Sequence, residues 1–315
     1  MLRENVQNII VITANAAGGK PKPERNPEVL GNALGCKKPD FLCLQELVVC
    51  KGGGIPDEDT LDELCIIGGL QDYQPFFLPS VDTERNPCPQ IVQGTNKEGK
   101  WYRTDSSFKG RDYAAQGNGF LIRNDWEVVD LWDGNRKPTM ASEQISNPTL
   151  FLGDRETEPR CLMLARVKHH ESDCELILGC THLTVHRKEN EGVTGAKVRQ
   201  QQVENILKIV AKLPACIPII LAGDFNSTLH SPELCRFSQE LTSTSQYCSC
   251  NDKKNGTHIE KKIFIDHIWF RPTISFEVVK CYLIDDKKLR YKTEEGAIKY
   301  ATDHRPVVAH LKLKS

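Results

Sequence analysis

The run Ile219-Ile220-Leu221-Ala222-Gly223-Asp224-Phe225-Asn226-Ser227 constrains this chain more than any other stretch. Four apolar residues and a glycine follow Pro218 and lead straight into Asp-x-Asn. The apolar part reads as a short buried strand. The polar part reads as the loop at its end, where side chains converge on ligands. Asp224 and Asn226, two apart on an extended end, point the same way. They offer oxygens to a hard cation and an amide to a phosphate. An Asx turn closing a core strand uses the same residues, and this stretch alone leaves both readings open.

The same arrangement recurs along the chain. Residues 8–15 form a β-branched strand ending at Asn15, and Phe41-Leu42-Cys43-Leu44 runs into Gln45-Glu46. Residues 174–181 pair with 160–168 and end in Thr181-His182-Leu183. Strands are also expected at 73–78, 263–270, 276–283 and 307–313, with 119–123 and 126–131 as a hairpin turning at Asn124-Asp125. Helices are expected at 27–35, opened by proline and closed by glycine, and at 57–67, 193–213 and 231–241. Within 193–213, Val203, Ile206, Leu207 and Val210 make one apolar stripe, with Arg199 and Gln202 near its start. Antiparallel-looking strand pairs with few helices between them argue for two packed sheets with helices outside. No composition break divides the chain, so one domain over 1–315 is expected, with a long polar excursion at 80–111. In that excursion and just beyond it, Lys97, Lys100, Trp101, Tyr102, Arg103, Phe108, Lys109, Arg111 and Tyr113 are candidate substrate contacts, the aromatic ones as base-stacking platforms.

Charge narrows the partners. Lys plus Arg number 41 and Asp plus Glu 42, so the net charge is −1 and no global basic field exists. Any nucleic-acid contact must be local, and bound cations would add positive charge at a site. The 13 cysteines are odd in number and irregularly spaced, and the N-terminal residues lack an apolar leader core. Reduced thiols and an intracellular, cytoplasmic setting are expected. Cys235, Cys248, Cys250 and His258 fit zinc spacing poorly because of the Cys-x-Cys step. No stretch approaches the roughly 20 apolar residues of a membrane span, so no membrane anchor is expected.

Six expected strand ends therefore carry polar groups: Asn15, Glu46, His182, Asp224 with Asn226, Asp266, and Asp303 with His304. Phosphoester hydrolysis needs such a set. A carboxylate such as Glu46 holds Mg²⁺ with few protein ligands, and the ion polarises the phosphoryl oxygen. A second carboxylate, Asp224, can take a proton from water, and a His whose tautomer an Asp fixes can hold the phosphate or move a proton. Alternation in Phe264-Ile265-Asp266-His267-Ile268-Trp269-Phe270 puts His267 on the opposite face from Asp266, outside the catalytic set.

The words Thr13-Ala14-Asn15, Leu44-Gln45-Glu46, Thr181-His182-Leu183, Gly223-Asp224-Phe225-Asn226-Ser227, Ile265-Asp266 and Thr302-Asp303-His304-Arg305-Pro306-Val307 occur in one order from end to end. In these words and their order the chain resembles the endonuclease/exonuclease/phosphatase superfamily of metal-dependent phosphoesterases. The resemblance implies an α+β fold, a four-layer α/β/β/α sandwich of two mostly antiparallel sheets with helices on both outer faces. It implies Mg²⁺, with Mn²⁺ as a substitute, held by Asn15, Glu46 and Asp303. It implies Asp224 on the attacking water, Asn226 beside it on the phosphate, His304 paired with Asp266, and His182 near a non-bridging oxygen. Arg160, just before a strand, is expected on the phosphate, and Asn118, between Gly117 and Gly119, in the cleft. The nuclease and deadenylase branches are the nearer match, which implies a nucleic-acid substrate. Inositol phosphatases, sphingolipid phosphodiesterases and a non-catalytic binding module are the alternatives, and a Trp-Cys-Asp-Arg word typical of the inositol enzymes is absent.

Overall fold

The computed structural model describes residues 6–17, 26–54, 57–82, 113–131, 140–146, 159–172, 174–185 and 195–314. Two seven-stranded sheets form its centre. In the first, β13 (Phe276–Leu283), β16 (Val307–Lys314), β1 (Val6–Asn15), β2 (Phe41–Lys51), β5 (Tyr113–Arg123) and β4 (Tyr73–Asp82) lie side by side, with β3 (Glu58–Asp59) also paired to β2. In the second the order is β11 (Thr242–Ser243), β12 (Asp266–Arg271), β10 (Ile219–Asp224), β9 (Glu175–His182), β8 (Cys161–His169) and β6 (Trp126–Val129), with β7 (Ala141–Gln144) also paired to β8. A small ribbon joins β14 (Arg290–Lys292) to β15 (Ile298–Tyr300).

The layers follow from alternation. In β10, Ile220 and Ala222 point into the core between the sheets, beside Phe41, Phe120, Met163, Leu178 and Phe270. Ile219 and Leu221 point the other way, against Val203, Ile206 and Val210 of α3 (Gly195–Val210) and Phe237 of α4 (Cys235–Glu240). On the far side, Ile12, Leu42, Leu121 and Val308 of the first sheet meet Leu30 and Leu34 of α1 (Pro27–Gly35) and Leu61 and Leu64 of α2 (Thr60–Ile66). The result is the expected α/β/β/α sandwich. A further short helix, α5 (Cys250–Asn255), precedes β12.

Topology brings the polar strand ends to one edge. β1 runs parallel to β2, and β9 to β10, so Asn15, His182 and Asp224 end strands at that edge. Asp266 opens β12 directly opposite Asp224 in an antiparallel pair. β16 is antiparallel to β1 with Val307 opposite Thr13, so residues 302–306 enter beside Asn15. The hydroxyl of Thr302 donates to the Asn15 carbonyl oxygen at 2.7 Å. Gly223 makes the close approach of β9 and β10 possible, since a Cβ there would sit 2.0 Å from the Thr181 carbonyl oxygen.

Four expectations need correction. β2 does not end at Glu46 but continues to Lys51, and a register shift between Leu44 and Leu47 takes Glu46 out of the ladder at φ +55°. Segments 119–123 and 126–131 do not form a hairpin: β5 pairs with β2 and β4 in the first sheet, and β6 pairs with β8 in the second. Asn124-Asp125 turns the chain between layers instead. Helix α2 covers only Thr60–Ile66, because Asp59 caps it through the backbone N–H groups of Leu61 and Asp62. The expected excursion at 80–111 begins later, since β4 runs to Asp82. Lys97, Lys100, Trp101, Tyr102, Arg103, Phe108, Lys109 and Arg111 lie outside the described residues, while Tyr113 opens β5 half-buried.

Candidate active site

Asp224 ends its strand fully within the interior, and Asn226 adopts φ +48° immediately after it. Asparagine tolerates that left-handed conformation better than most residues. The Asn226 N–H donates to Asp224 Oδ1 at 2.9 Å, so the turn is an Asx turn as well as the start of the site. The free face of Asp224 is its Oδ2. Asn15 Nδ2 donates to it at 3.2 Å and to Glu46 Oε1 at 3.2 Å. His182 Nε2 lies 3.6 Å from it and His304 Nδ1 3.8 Å. Side chains drawn from residues 15 to 304 thus meet around one carboxylate oxygen.

His304 is held by Asp266, whose Oδ2 is 2.8 Å from Nδ1. Burial lowers the His304 pKa, but the Asp266 and Asp224 charges outweigh it and raise the value to about 10. His304 is therefore an imidazolium at neutral pH, with Nε2–H as the donor that Asp266 does not use. Burial and the Asp266 charge raise Asp224 to about 7, against the lowering effects of His304 and the Asn226 and Asn15 hydrogen bonds. Asp266 Oδ1 is buried with no hydrogen-bond partner.

His182 is oriented from behind. Arg160, itself buried, places Nη1 3.0 Å from His182 Nδ1. A guanidinium only donates, so Nδ1 accepts and the ring proton sits on Nε2, toward Asp224. Asn226 Nδ2 lies 3.1 Å from that Nε2 and donates to the Leu183 carbonyl oxygen at 2.9 Å. Arg160 thereby brings a buried positive charge beside the two strand ends.

Of the residues expected in the site, Asn15, Glu46, His182, Asp224, Asn226, Asp266, Asp303, His304 and Arg160 gather at this edge. Asn118 is buried, its Nδ2 reaching across to the second sheet, 3.3 Å from the Cys161 carbonyl oxygen and 3.5 Å from that of Cys180. Gln45 is buried as well, donating to Thr13 Oγ1 and the Cys43 carbonyl oxygen. Arg199 is also remote from the reacting groups. It binds Glu233 at 2.9 Å and Ser227 at 2.8 Å, clamping the loop that follows Asn226. His267 points away, as the alternation required. It is enclosed by Phe225, Phe264 and Trp269, its Nε2 2.9 Å from the Ser227 carbonyl oxygen, and burial pulls its pKa to about 4.

His258 is the neighbour that the strand-end pattern did not reveal. Its ring centroid lies 5.1 Å from that of His304. Burial first, then the His304 charge, pull its pKa to about 4. It sits in a loop, Gly256-Thr257-His258, with no apolar periodicity to flag it. Cys248 leaves the cysteine group altogether, packing 2.8 Å from Cys281.

Glu46 and Asp303 offer hard carboxylate oxygens and Asn15 an amide able to present one, and beside them burial and the Asp266 charge penalise ionisation of Asp224. A divalent cation relieves that penalty, and oxygen donors suit Mg²⁺ or Mn²⁺. The residues fit such an ion.

Comparison with known proteins gives the same architecture. Nocturnin of Drosophila melanogaster is 24% identical over 192 residues, which is 60% of this chain and 22% of that protein. This chain thus spans well under half the length of that relative. An endonuclease/exonuclease/phosphatase family protein from Bacteroides thetaiotaomicron has a similar structure, with TM-score 0.65 and 18% identity over 98% of this chain and 99% of that one. A mannosyl-6-phosphatase from the same organism gives 0.62 and 17%, over 96% and 99% of the two chains. Danio rerio TDP2, solved with a single-strand DNA product, gives 0.59 and 16%, over 96% and 98%. The model of the Endonuclease/Exonuclease/phosphatase family matches residues 12–304, and the chain belongs to that family.

Proposed function

We propose that this chain is a Mg²⁺-dependent phosphodiesterase that hydrolyses nucleic acid by attack of water. The observation that carries the reading is the meeting of Asn15, His182 and His304 around Asp224 Oδ2, with Glu46 joined to that oxygen through the shared Asn15 amide. Members of this family are phosphoester hydrolases, which supports the reaction class. The DNA product bound to TDP2 supports the substrate class.

In this reading Glu46, Asn15 and Asp303 hold the cation, which when bound polarises the phosphoryl oxygen. Asp224 accepts a proton from the attacking water. A base poised near neutrality is suited to that work, and burial brings Asp224 to about 7. Asn226 and the Nε2–H of His182 offer hydrogen bonds to a non-bridging oxygen, with Arg160 fixing the His182 tautomer. His304, kept charged by Asp266, donates through Nε2 to the developing negative charge. The reading retains an intracellular setting, supported by the odd and irregular cysteine count.

A second reading is favoured by the mannosyl-6-phosphatase neighbour: a phosphatase on sugar or inositol phosphates. A substrate panel separates the two. Single-stranded RNA with a polyA tail, single-stranded and abasic duplex DNA, sphingomyelin, inositol polyphosphates and a hexose 6-phosphate are each incubated with enzyme and Mg²⁺. Cleavage of the oligonucleotides at the highest kcat/KM supports the proposal. Release of inorganic phosphate from the sugar phosphates alone would replace it with the second reading.

A further inference from the structure

Outside the carboxylate set, a different donor group sits on the rim. One ring nitrogen each from His258 and His304 and a carboxylate oxygen from Asp303 all lie within 4.8 Å of one another. We propose that His258, Asp303 and His304 form a binding site for a borderline-soft cation of the Zn²⁺ type, and that filling it withdraws the His304 imidazole from the reaction.

The donor chemistry separates this site from the one expected to hold Mg²⁺. Two imidazoles and one carboxylate are a common zinc set, three protein ligands with a fourth position open. Mg²⁺ selects oxygen ligands in an octahedron and keeps its waters. The two sites share Asp303 and differ in every other residue named.

The backbone holds the ligands in place before any ion arrives. The 255–259 segment is fastened to 303–305: the Ile259 N–H donates to the Asp303 carbonyl oxygen at 2.9 Å and the Arg305 N–H to that of Thr257 at 2.6 Å. The Arg305 guanidinium donates to the carbonyl oxygens of Asn255 and Gly256 at 3.1 and 3.0 Å. His258 and His304 are bridge partners across this junction. Gly256 is required at its head, since at φ +67° a Cβ would sit 2.5 Å from Ile263 N.

His304 also has the outer partner that metal-bound histidines need. Asp266 takes Nδ1 and leaves Nε2 for the metal, which binds as the Nε2 proton is released to solvent, giving the carboxylate–histidine–metal arrangement that fixes ring orientation. His258 is 7% exposed, His304 6% and Asp303 half-buried, so the site is shielded yet lies at the rim.

The binding claim stands on these ligands alone, and only its inhibitory consequence rests on the hydrolase reading. The test titrates Co²⁺, as a visible-absorbing probe, into the full chain in excess Mg²⁺, then displaces it with Zn²⁺. The wild type is expected to take up one Co²⁺ with visible bands of low coordination number, and to lose hydrolysis of bis(p-nitrophenyl) phosphate as Zn²⁺ fills the same site. His258→Phe and His258→Asn are expected to weaken Co²⁺ and Zn²⁺ binding by more than about tenfold. They should raise the inhibitory Zn²⁺ concentration by the same factor, while Mg²⁺-dependent hydrolysis persists. The Asn variant serves if Phe disturbs folding, which circular dichroism reports. Absence of the visible bands in the wild type, or equal Co²⁺ affinity in wild type and a folded variant, overturns the site. A wild type that binds Co²⁺ but hydrolyses no phosphoester overturns the hydrolase reading and leaves the site standing.

Discussion

His304 Nδ1 lies 2.8 Å from Asp266 Oδ2, and these two residues sit 38 apart in sequence on strand ends brought together by an antiparallel sheet and its neighbour. The pair is buried, and Asp266 is the largest of the influences that raise the His304 pKa. Asp266→Asn should therefore bring the His304 titration, followed by NMR of the ring protons, down from about 10 toward the ordinary imidazole range. It should also lower kcat by about 10²–10⁴, the usual worth of a positioned acid or base. An unchanged titration in the variant would contradict the pairing.

The acid side of the pH–rate profile reports Asp224. Burial and Asp266 raise its pKa to about 7, so its carboxylate gains a proton as pH falls through that value and can no longer accept one from water. The rate should fall toward acid with a limb near 7. The sign for stability runs the other way. A carboxyl whose folded pKa lies above its unfolded value favours the fold when protonated, so this group's contribution is greatest at low pH and is lost as pH rises from about 4 to about 7. Kinetics at fixed metal concentration, with urea denaturation across the same pH range, check both signs.

Arg199 tests whether the loop clamp is separable from chemistry. Its guanidinium holds Glu233 and Ser227, with both partners of the ion pair mostly buried. Arg199→Ala leaves Glu233 unpaired and should cost about 2–4 kcal/mol in urea unfolding, allowing for the pair's partial exposure. Activity per folded molecule should survive far better than in Asp224→Ala. A variant that is fully stable but inactive would move Arg199 into the site.

Gly223→Ala probes the approach of β9 to β10. The added Cβ would meet the Thr181 carbonyl oxygen at 2.0 Å, a backbone atom that cannot swing aside. Overpacking of this kind costs about 1–3 kcal/mol, and here it also displaces the strand ends that carry His182 and Asp224. Both Tm and kcat should drop, whereas Gly296→Ala, with no close neighbour but a positive φ, should lower Tm alone.

The layered architecture and the gathering of most candidate residues at one edge were legible because both rest on one local rule: an apolar strand followed by a polar residue. Asn15, His182 and Asp224 obey it directly, and Asp266 and His304 obey it in reverse, before their strands. Glu46 was found for a reason that proved incomplete, since its strand runs on and a bulge presents the carboxylate. The β5–β6 hairpin failed because Asn124-Asp125 is good turn chemistry in either topology, and nothing local states which sheet receives Trp126. The glycines that flank Asn118 mark close backbone approach as readily as a cleft; at Gly117 the neighbour is the Leu78 carbonyl, 2.1 Å from where a Cβ would lie. His258 drew notice only beside the cysteines, because its place beside His304 is set by long-range backbone hydrogen bonds, which leave no periodic trace.

The most direct test of the central claim is hydrolysis of a 5′-labelled single-stranded oligonucleotide by purified wild type and Asp224→Ala, each with Mg²⁺ and with chelator in excess. The wild type should cleave with Mg²⁺ and not after chelation, and Asp224→Ala, with unchanged circular dichroism, should lose at least about 10²-fold in kcat. Cleavage that persists without divalent metal, or at the wild-type rate in Asp224→Ala, would contradict that claim.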